Sequence, residues 1–317
     1  MKANAKTKVK IKPIGKQAGL GKRILQSKEF YIMLLPVIIF YIVFSYVPMY
    51  GITLAFKDFN FVKGIVGSPW NDFANFKKIF KSVDYWNAFG NTIWISAGRL
   101  IIEFPVPIIL ALLLNEISKS KLKRVYQTVL TFPHFLSWVV LGGIVINLLQ
   151  DQGIINQLLS LLGLGKNSVL TNGNQFRILV FVSNIWKEAG WSTILYMAAI
   201  AGISPELYEA AKMDGANRFQ QALHITWPCI MSTAIVLLIL QIGSAMNGGF
   251  DQIFNLYNSS VYSKGDIIDT YVYRSAFQSS DGFGFSTAVG FTKSIINFAL
   301  LYGTNKIISK KTGTGVL

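Results

Sequence analysis

Ionisable side chains are scarce in this 317-residue chain, and several stand inside long apolar runs, which makes them the first places to look for chemistry. Arg99 and Glu103 lie four residues apart, a spacing that puts both on one helix face where they can neutralise each other. Lys187 and Glu188 are adjacent, among Asn184, Trp186, Trp191 and Ser192. Neighbouring helical residues point about 100° apart, so these two are not expected to pair in the i,i+4 manner. Each is expected to face a cavity or a partner helix. Two readings stay open for the group: glue between helices, or the wall of a polar path.

No competing constellation is present in the sequence. Cys229 is the sole cysteine, which rules out an intramolecular disulfide and a thiolate metal cluster. His134, in Phe132-Pro-His-Phe135, reads as a polar contact beside a kink, and the other histidine, His224, lies in a polar loop. A phosphate-binding loop needs Gly-x-x-x-x-Gly-Lys-Ser/Thr. Gly21-Lys22-Arg23 and Gly165-Lys166-Asn167 lack both the leading glycine and the hydroxyl residue. Any ATP hydrolysis therefore has to come from another chain, and neither a cofactor nor a metal is expected in this one.

The elements that position these residues are membrane spans. The chain is 52% apolar and only 14% charged, with a positive mean hydropathy, against roughly 25% charged for an average soluble domain. Six segments approach the roughly 20 apolar residues a bilayer crossing needs: about 30–56, 91–115, 125–149, 176–202, 229–246 and 285–308. The fold class expected is an all-α integral membrane protein. Pro36 and Pro48 should kink the first span, and Pro105 and Pro107 the second. Residues 151–163 are too short to span and read as an amphipathic helix in the outer interface, while Trp70, Tyr85, Trp86 and Trp94 read as an aromatic belt.

The net charge of +15 is orientation charge, not a stripe for nucleic acid. Nine of the 30 basic residues fall between Lys2 and Lys28. Lys119, Lys121, Lys123 and Arg124 crowd one short loop, and Lys310 and Lys311 follow the last span. Placing these inside puts both termini and the loop 203–228 in the cytoplasm. The five basic residues Lys57, Lys63, Lys77, Lys78 and Lys81 then lie outside, against the rule, but they share a longer segment with three acids. The organisation expected is a basic tail, 1–28, followed by a membrane domain, 29–317. The apolar span that follows the tail is far longer than a signal-peptide core, so it reads as an uncleaved anchor.

The loop 203–228 is more structured than a linker needs to be. Ser204 and Pro205 offer a cap and a first-turn proline for Glu206-Leu-Tyr-Glu-Ala-Ala-Lys212, with Glu206 and Glu209 near the positive helix end. Gly215 allows a reversal with φ > 0, and a second helix runs from near Asn217 toward Pro228. Such a helix–turn–helix presents a rigid knob to the cytosol. An amphipathic loop lying on the inner leaflet would favour a Lys/Arg face, whereas this one is rich in Glu, Asp and Ala.

Glu209-Ala210-Ala211, then Gly215, Ile225 and Pro228 at their intervals, resemble the "EAA" loop of permease subunits of bacterial ABC importers. Trp227 stands where that family usually has Leu. The proline-bearing first span, Asn91-Thr92 and the run from Tyr126 to Gly143 are similar to the carbohydrate-uptake class, and within it to the LplB-like branch. The resemblance implies a type I permease with about six spans, working with a second permease subunit as a heterodimer, a cytoplasmic ATPase dimer carrying ATP and Mg, and an extracytoplasmic solute-binding protein that delivers an oligosaccharide. It implies that Glu209, Ala210 and Ala211 contact the ATPase and that Asp214, Gly215 and Ala216 shape the turn. Asn184, Lys187, Glu188 and Trp191 would then border the translocation path, with Lys187 suited to an acidic sugar. A permease for a non-sugar solute is the alternative. An ion-coupled transporter would show internal repeats, and a membrane enzyme would show a catalytic cluster; the sequence has neither.

Overall fold

The computed structural model describes residues 27–279 and 282–312, with side chains placed up to residue 310. The basic tail as far as Gln26 therefore lies outside the described residues, as does the side chain of Lys311. The described residues are helical throughout, apart from turns and one isolated bridge between Lys57 and Trp70. Five helical stretches are long and apolar enough to cross a bilayer: Lys28–Phe56, Val83–Asn115, Trp138–Leu161, Arg218–Gly243 and Gly282–Lys310. A sixth helix, Gly173–Ala201, is 29 residues long, or about 43 Å at 1.5 Å per residue. Arg177, Lys187 and Glu188 dilute its hydropathy without shortening it.

The described residues divide into two compact units, one ending at Ile52 and the other beginning at Thr53. In the first, the helix Lys28–Tyr41 carries Pro36 and passes into a widened π-helical turn, Ile42–Tyr46, ahead of Pro48. The same device recurs twice in the second unit. A π-turn at Arg99–Glu103 precedes Pro105, and another at Ala222–Thr226 precedes Pro228. In each case the turn ends two residues before the proline. Proline lacks an N–H and its ring clashes with the carbonyl four residues back, so the preceding turn opens and bonds five residues back instead. Phe104 N–H reaches Arg99 O at 3.0 Å in this way.

Two expected boundaries shift. The second span begins at Val83, eight residues before Asn91, because Ser82 caps it through Tyr85 N–H. The expected single helix 125–149 is two helices, Ser120–Thr131 and Trp138–Leu149, separated by the 3₁₀ turn Phe132–Phe135. Pro133 prevents its continuation, and Ser137 caps the second piece through Val140 N–H. Tyr85 is buried at 2% exposure and belongs to the core, whereas Trp70, Trp86 and Trp94 are exposed. The helix Ile154–Leu161 leaves Ile154, Leu158 and Leu161 exposed alongside Gln157 and Ser160, and buries a polar residue, Asn156. Asn156 bonds the carbonyls of Leu149 and Gln150.

Packing forms three clusters in the second unit. One gathers Tyr85, Ala88, Met246, Tyr271 and Phe285; another Ile95, Leu141, Phe176, Val180 and Ile253; the third Ile108, Ala111, Tyr196, Ile200 and Ile230. Between spans, dispersion and close approach carry the packing, since lipid is as apolar as leucine. Gly190 shows how tight it is: a Cβ there would lie 2.0 Å from the Leu130 carbonyl oxygen.

Candidate functional site

Two cavities lie side by side in the second unit, one of about 310 Å³ and one of about 410 Å³. Glu103, Asn184 and Gln241 line both of them. Glu103 comes from the π-turn of the second span, Asn184 from the helix Gly173–Ala201, and Gln241 from the end of the fifth span. The wall is a chain of hydrogen bonds. The Asn184 amide donates to Glu103 Oε2 at 2.5 Å, and Arg99 donates to Gln252 Oε1 at 2.6 Å. Gln252, fully buried, passes its own amide protons to Val180 O at 2.6 Å and Ser183 Oγ at 2.9 Å. Arg99 and Glu103 do share a face, but their closest approach is 3.8 Å. The widened turn holds them beyond hydrogen-bond reach while each bonds an amide from another helix.

Of the sequence candidates, Asn184 and Glu188 face the smaller cavity. Lys187 and Trp191 line neither cavity. Lys187 is 6% exposed, and its Nζ donates to His134 O at 2.6 Å. It also meets Glu188 Oε1 at 3.2 Å, so adjacency in the helix does not keep the two apart. A four-carbon stem is long enough to fold back along its own helix. The second Glu188 oxygen takes His134 Nδ1 at 2.7 Å, and the His134 ring stacks parallel on Trp191 with centroids 4.4 Å apart. His134 is therefore the polar contact at the kink that the sequence implied, and it ties all three path candidates other than Asn184 together.

Ahead of the helix Ile268–Phe277, Asp266 accepts from Arg274 NH2 at 2.6 Å and NH1 at 3.0 Å. Burial alone would lower the Arg274 pKa, but the hydrogen bond and charge of Asp266 outweigh it and raise the value. Asn91 joins this region to the second span by donating to Asp266 O at 3.0 Å.

The segment 203–228 is built from local bonds. The helix Pro205–Met213 ends in a Schellman motif, in which Ala216 N–H bonds Ala211 O at 2.8 Å and Gly215 N–H bonds Lys212 O at 3.1 Å. Gly215 sits at φ +81° with open space around it, so the demand for glycine is conformational and not steric. Ser204 takes the cap position with extended backbone, yet its hydroxyl makes no capping bond, contrary to expectation. Asn217 and Gln220 form a capping box for the next helix. That helix runs through the π-turn into Trp227–Gly243 without a break. Tyr208 and Thr226 tie the two arms at 2.9 Å. Glu209 and Ala210 are exposed, as are Met213 at 88% and Phe219 at 74%.

Residues 103–301 match the family described as binding-protein-dependent transport system inner membrane component. The chain belongs to that family. The permease is 42% identical to protein LplB of Bacillus subtilis (strain 168), with 90% of each chain covered. It is also 42% identical to the polygalacturonan/rhamnogalacturonan transport system permease protein YteP of the same organism, over 93% of this chain and 92% of that one. Among solved structures it resembles a chain of a bacterial ABC transporter involved in import of the acidic polysaccharide alginate. There the TM-score is 0.85 at 37% identity, covering 92% of the permease and 99% of that chain. A second structure of an alginate transporter, in complex with an alginate pentasaccharide-bound periplasmic protein, matches with a TM-score of 0.85 at 38% identity. The permease is accordingly a multi-pass membrane protein of type I ABC permease fold.

Sequence reasoning missed Gln241 and Gln252. Gln241 at the end of an apolar run and Gln252 in the short helix Phe250–Leu256 carry no charge to draw attention, and only the tertiary arrangement sets Gln252 between Arg99 and Ser183.

Proposed function

We propose that the permease is one of two different transmembrane subunits of an ATP-driven importer, and that it passes an oligosaccharide released by an extracytoplasmic solute-binding protein. Both termini and the segment 203–228 lie in the cytoplasm. An ATPase dimer, holding the ATP and Mg, grips the helix Pro205–Met213, with Glu209, Ala210 and Ala211 at the contact and Asp214, Gly215 and Ala216 fixing the turn. The carbohydrate cargo is supported by the polysaccharide transport named for YteP and for the alginate transporters.

The observation that carries this reading is the coupling segment itself. Its turn is closed by its own backbone bonds, its apolar tip residues are exposed, and its second arm is continuous with a spanning helix. A push on such a knob reaches the cavity wall as a rigid-body movement. The two cavities together offer what sugars need: carboxylate and amide acceptors from Glu103, Asn184 and Gln241 in both, Glu188 in the smaller, and the aromatic side chains of Trp138 and Phe250 in the larger. Lys187 is occupied by Glu188 and His134, so it serves the path by holding that wall rather than by meeting cargo.

The test is uptake into vesicles containing the complete transporter, with an ATPase subunit that binds but cannot hydrolyse ATP. Uptake should stop. Continued uptake driven by an ion gradient would overturn the reading.

A further inference from the structure

A file of aromatic rings leads away from the larger cavity. Phe250 lines that cavity and stacks on Phe254, one helical turn along, with centroids 5.1 Å apart. Phe254 meets Tyr273 at 4.9 Å, and Tyr273 meets Phe277 at 5.2 Å, again one turn along its own helix. Phe277 then contacts Phe283 at 5.5 Å, and Phe283 contacts Phe61 at 5.6 Å. No ring in this file is buried, and Phe277 and Phe61 are 65% and 77% exposed.

We propose that these six rings form a stacking track on the outer side, along which an oligosaccharide chain is held and led to the cavity containing Arg99 and Gln252. The inference rests on the reading of the permease as an oligosaccharide importer. Three observations favour a carbohydrate over a lipid or a protein partner. The ring contacts begin at a polar cavity wall and run on from it, broadened where Phe250 also meets Tyr273 and where Phe59 meets both Phe283 and Phe61, whereas a membrane belt encircles the spans at one depth. Polar groups interleave with them: Asp251 and Asn255 follow Phe250 and Phe254 along one helix, and Tyr273 brings a phenol. A pyranose has this same mixture, an apolar C–H face and a hydroxyl edge. Successive rings also lie about one sugar ring apart, so a chain can move from one to the next without leaving the surface.

A track of this kind acts on long chains more than on short ones, because only a long chain spans several rings. The experiment uses the complete transporter in vesicles, fed by its binding protein, with oligogalacturonides of two to six residues as probes. Phe254→Ala with Phe277→Ala should lower uptake of the six-residue chain about five- to tenfold and leave that of the two-residue chain within about twofold. Phe254→Leu with Phe277→Leu keeps the apolar bulk and removes the flat faces, so it should lose the long-chain advantage as well. Phe254→Tyr with Phe277→Tyr should keep it. Full recovery by leucine, or an equal loss for all chain lengths, would overturn the track and point to lipid contact or packing. Loss of the second permease subunit from the purified alanine variant would overturn it in favour of a protein interface. Failure of the unaltered transporter to take up any of the probes would overturn both the track and its use for this carbohydrate class, while ATP-dependent uptake of another solute would leave the importer reading standing.

Discussion

The segment around Gly215 and the cavity wall around Glu103 satisfy their polar groups in opposite ways. In the segment the bonds are short-range: Ala216 to Ala211, Gly215 to Lys212, Asn217 with Gln220, and Gln221 Nε2 to Ala216 O at 2.8 Å. In the wall they cross the chain: Arg99 to Gln252, Asn184 to Glu103, His134 to Glu188 and Lys187. The first region is a unit that holds its own shape and can be pushed. The second exists only while three helices and the turn Phe132–Phe135 are in register, so it reports their movement. Under the proposed function, the part that transmits force and the part that responds to it need these two kinds of construction.

Substitutions can break or sharpen this contrast. The largest effect is expected from Gly190→Ala, because the new Cβ would meet the Leu130 carbonyl at 2.0 Å and the helices Gly173–Ala201 and Ser120–Thr131 would have to separate. A loss of about 3 kcal/mol or more, seen as poor membrane yield and a lowered Tm in detergent, is the expected outcome; wild-type yield and Tm would show that the wall is less tightly registered than described. Glu188→Gln comes next. It leaves the buried Lys187 without its counter-charge, at about 1–3 kcal/mol after allowance for the partial exposure of Glu188. Lys187→Met added to it should restore much of the apparent Tm, and a merely additive double variant would contradict the pairing.

Gly215→Val addresses the other region. The φ of +81° has to be abandoned or strained, at about 1–3 kcal/mol, but nothing collides and no span is touched. Yield should stay near wild type and Tm fall by no more than that local strain, while uptake falls about tenfold or more; normal uptake with normal ATPase co-purification would remove the coupling role. The smallest effect is expected of Arg218→Ala. Its bond to Glu116 Oε2 at 3.1 Å joins two exposed side chains, so stability should change by less than about 1 kcal/mol. A larger change would mean that the segment leans on the 116–124 loop more than its own bonds imply.

The same contrast explains what could be read from the sequence. Glu209-Ala-Ala, Gly215 and Pro228 were legible because their geometry is set by neighbours a few residues away. The spans were legible because hydropathy needs only composition, though Ser82 moved the start of one and Pro133 split another. Asn184 and Glu188 could be singled out by polarity in an apolar run. That Lys187 would turn back onto Glu188, or that Gln252 would hold Arg99, depends on residues more than 50 positions distant or on side-chain length rather than direction, and no periodicity encodes it.

The three π-turns that precede Pro48, Pro105 and Pro228 have a consequence for amide exchange. A helix in lipid normally shields its backbone amides for as long as it stays intact, since opening one bond exposes two polar groups to hydrocarbon. At these turns one donor is missing by chemistry and the ring of bonds is already widened, so little further opening is needed to admit solvent from the cavity side. Deuterium should therefore enter the second span near Arg99–Glu103 and the fifth near Ala222–Thr226 sooner than the residues on either side. Two such places within otherwise protected helices would let the cytoplasmic and outer halves of a span turn independently, and uptake of label there during ATP turnover would time that movement.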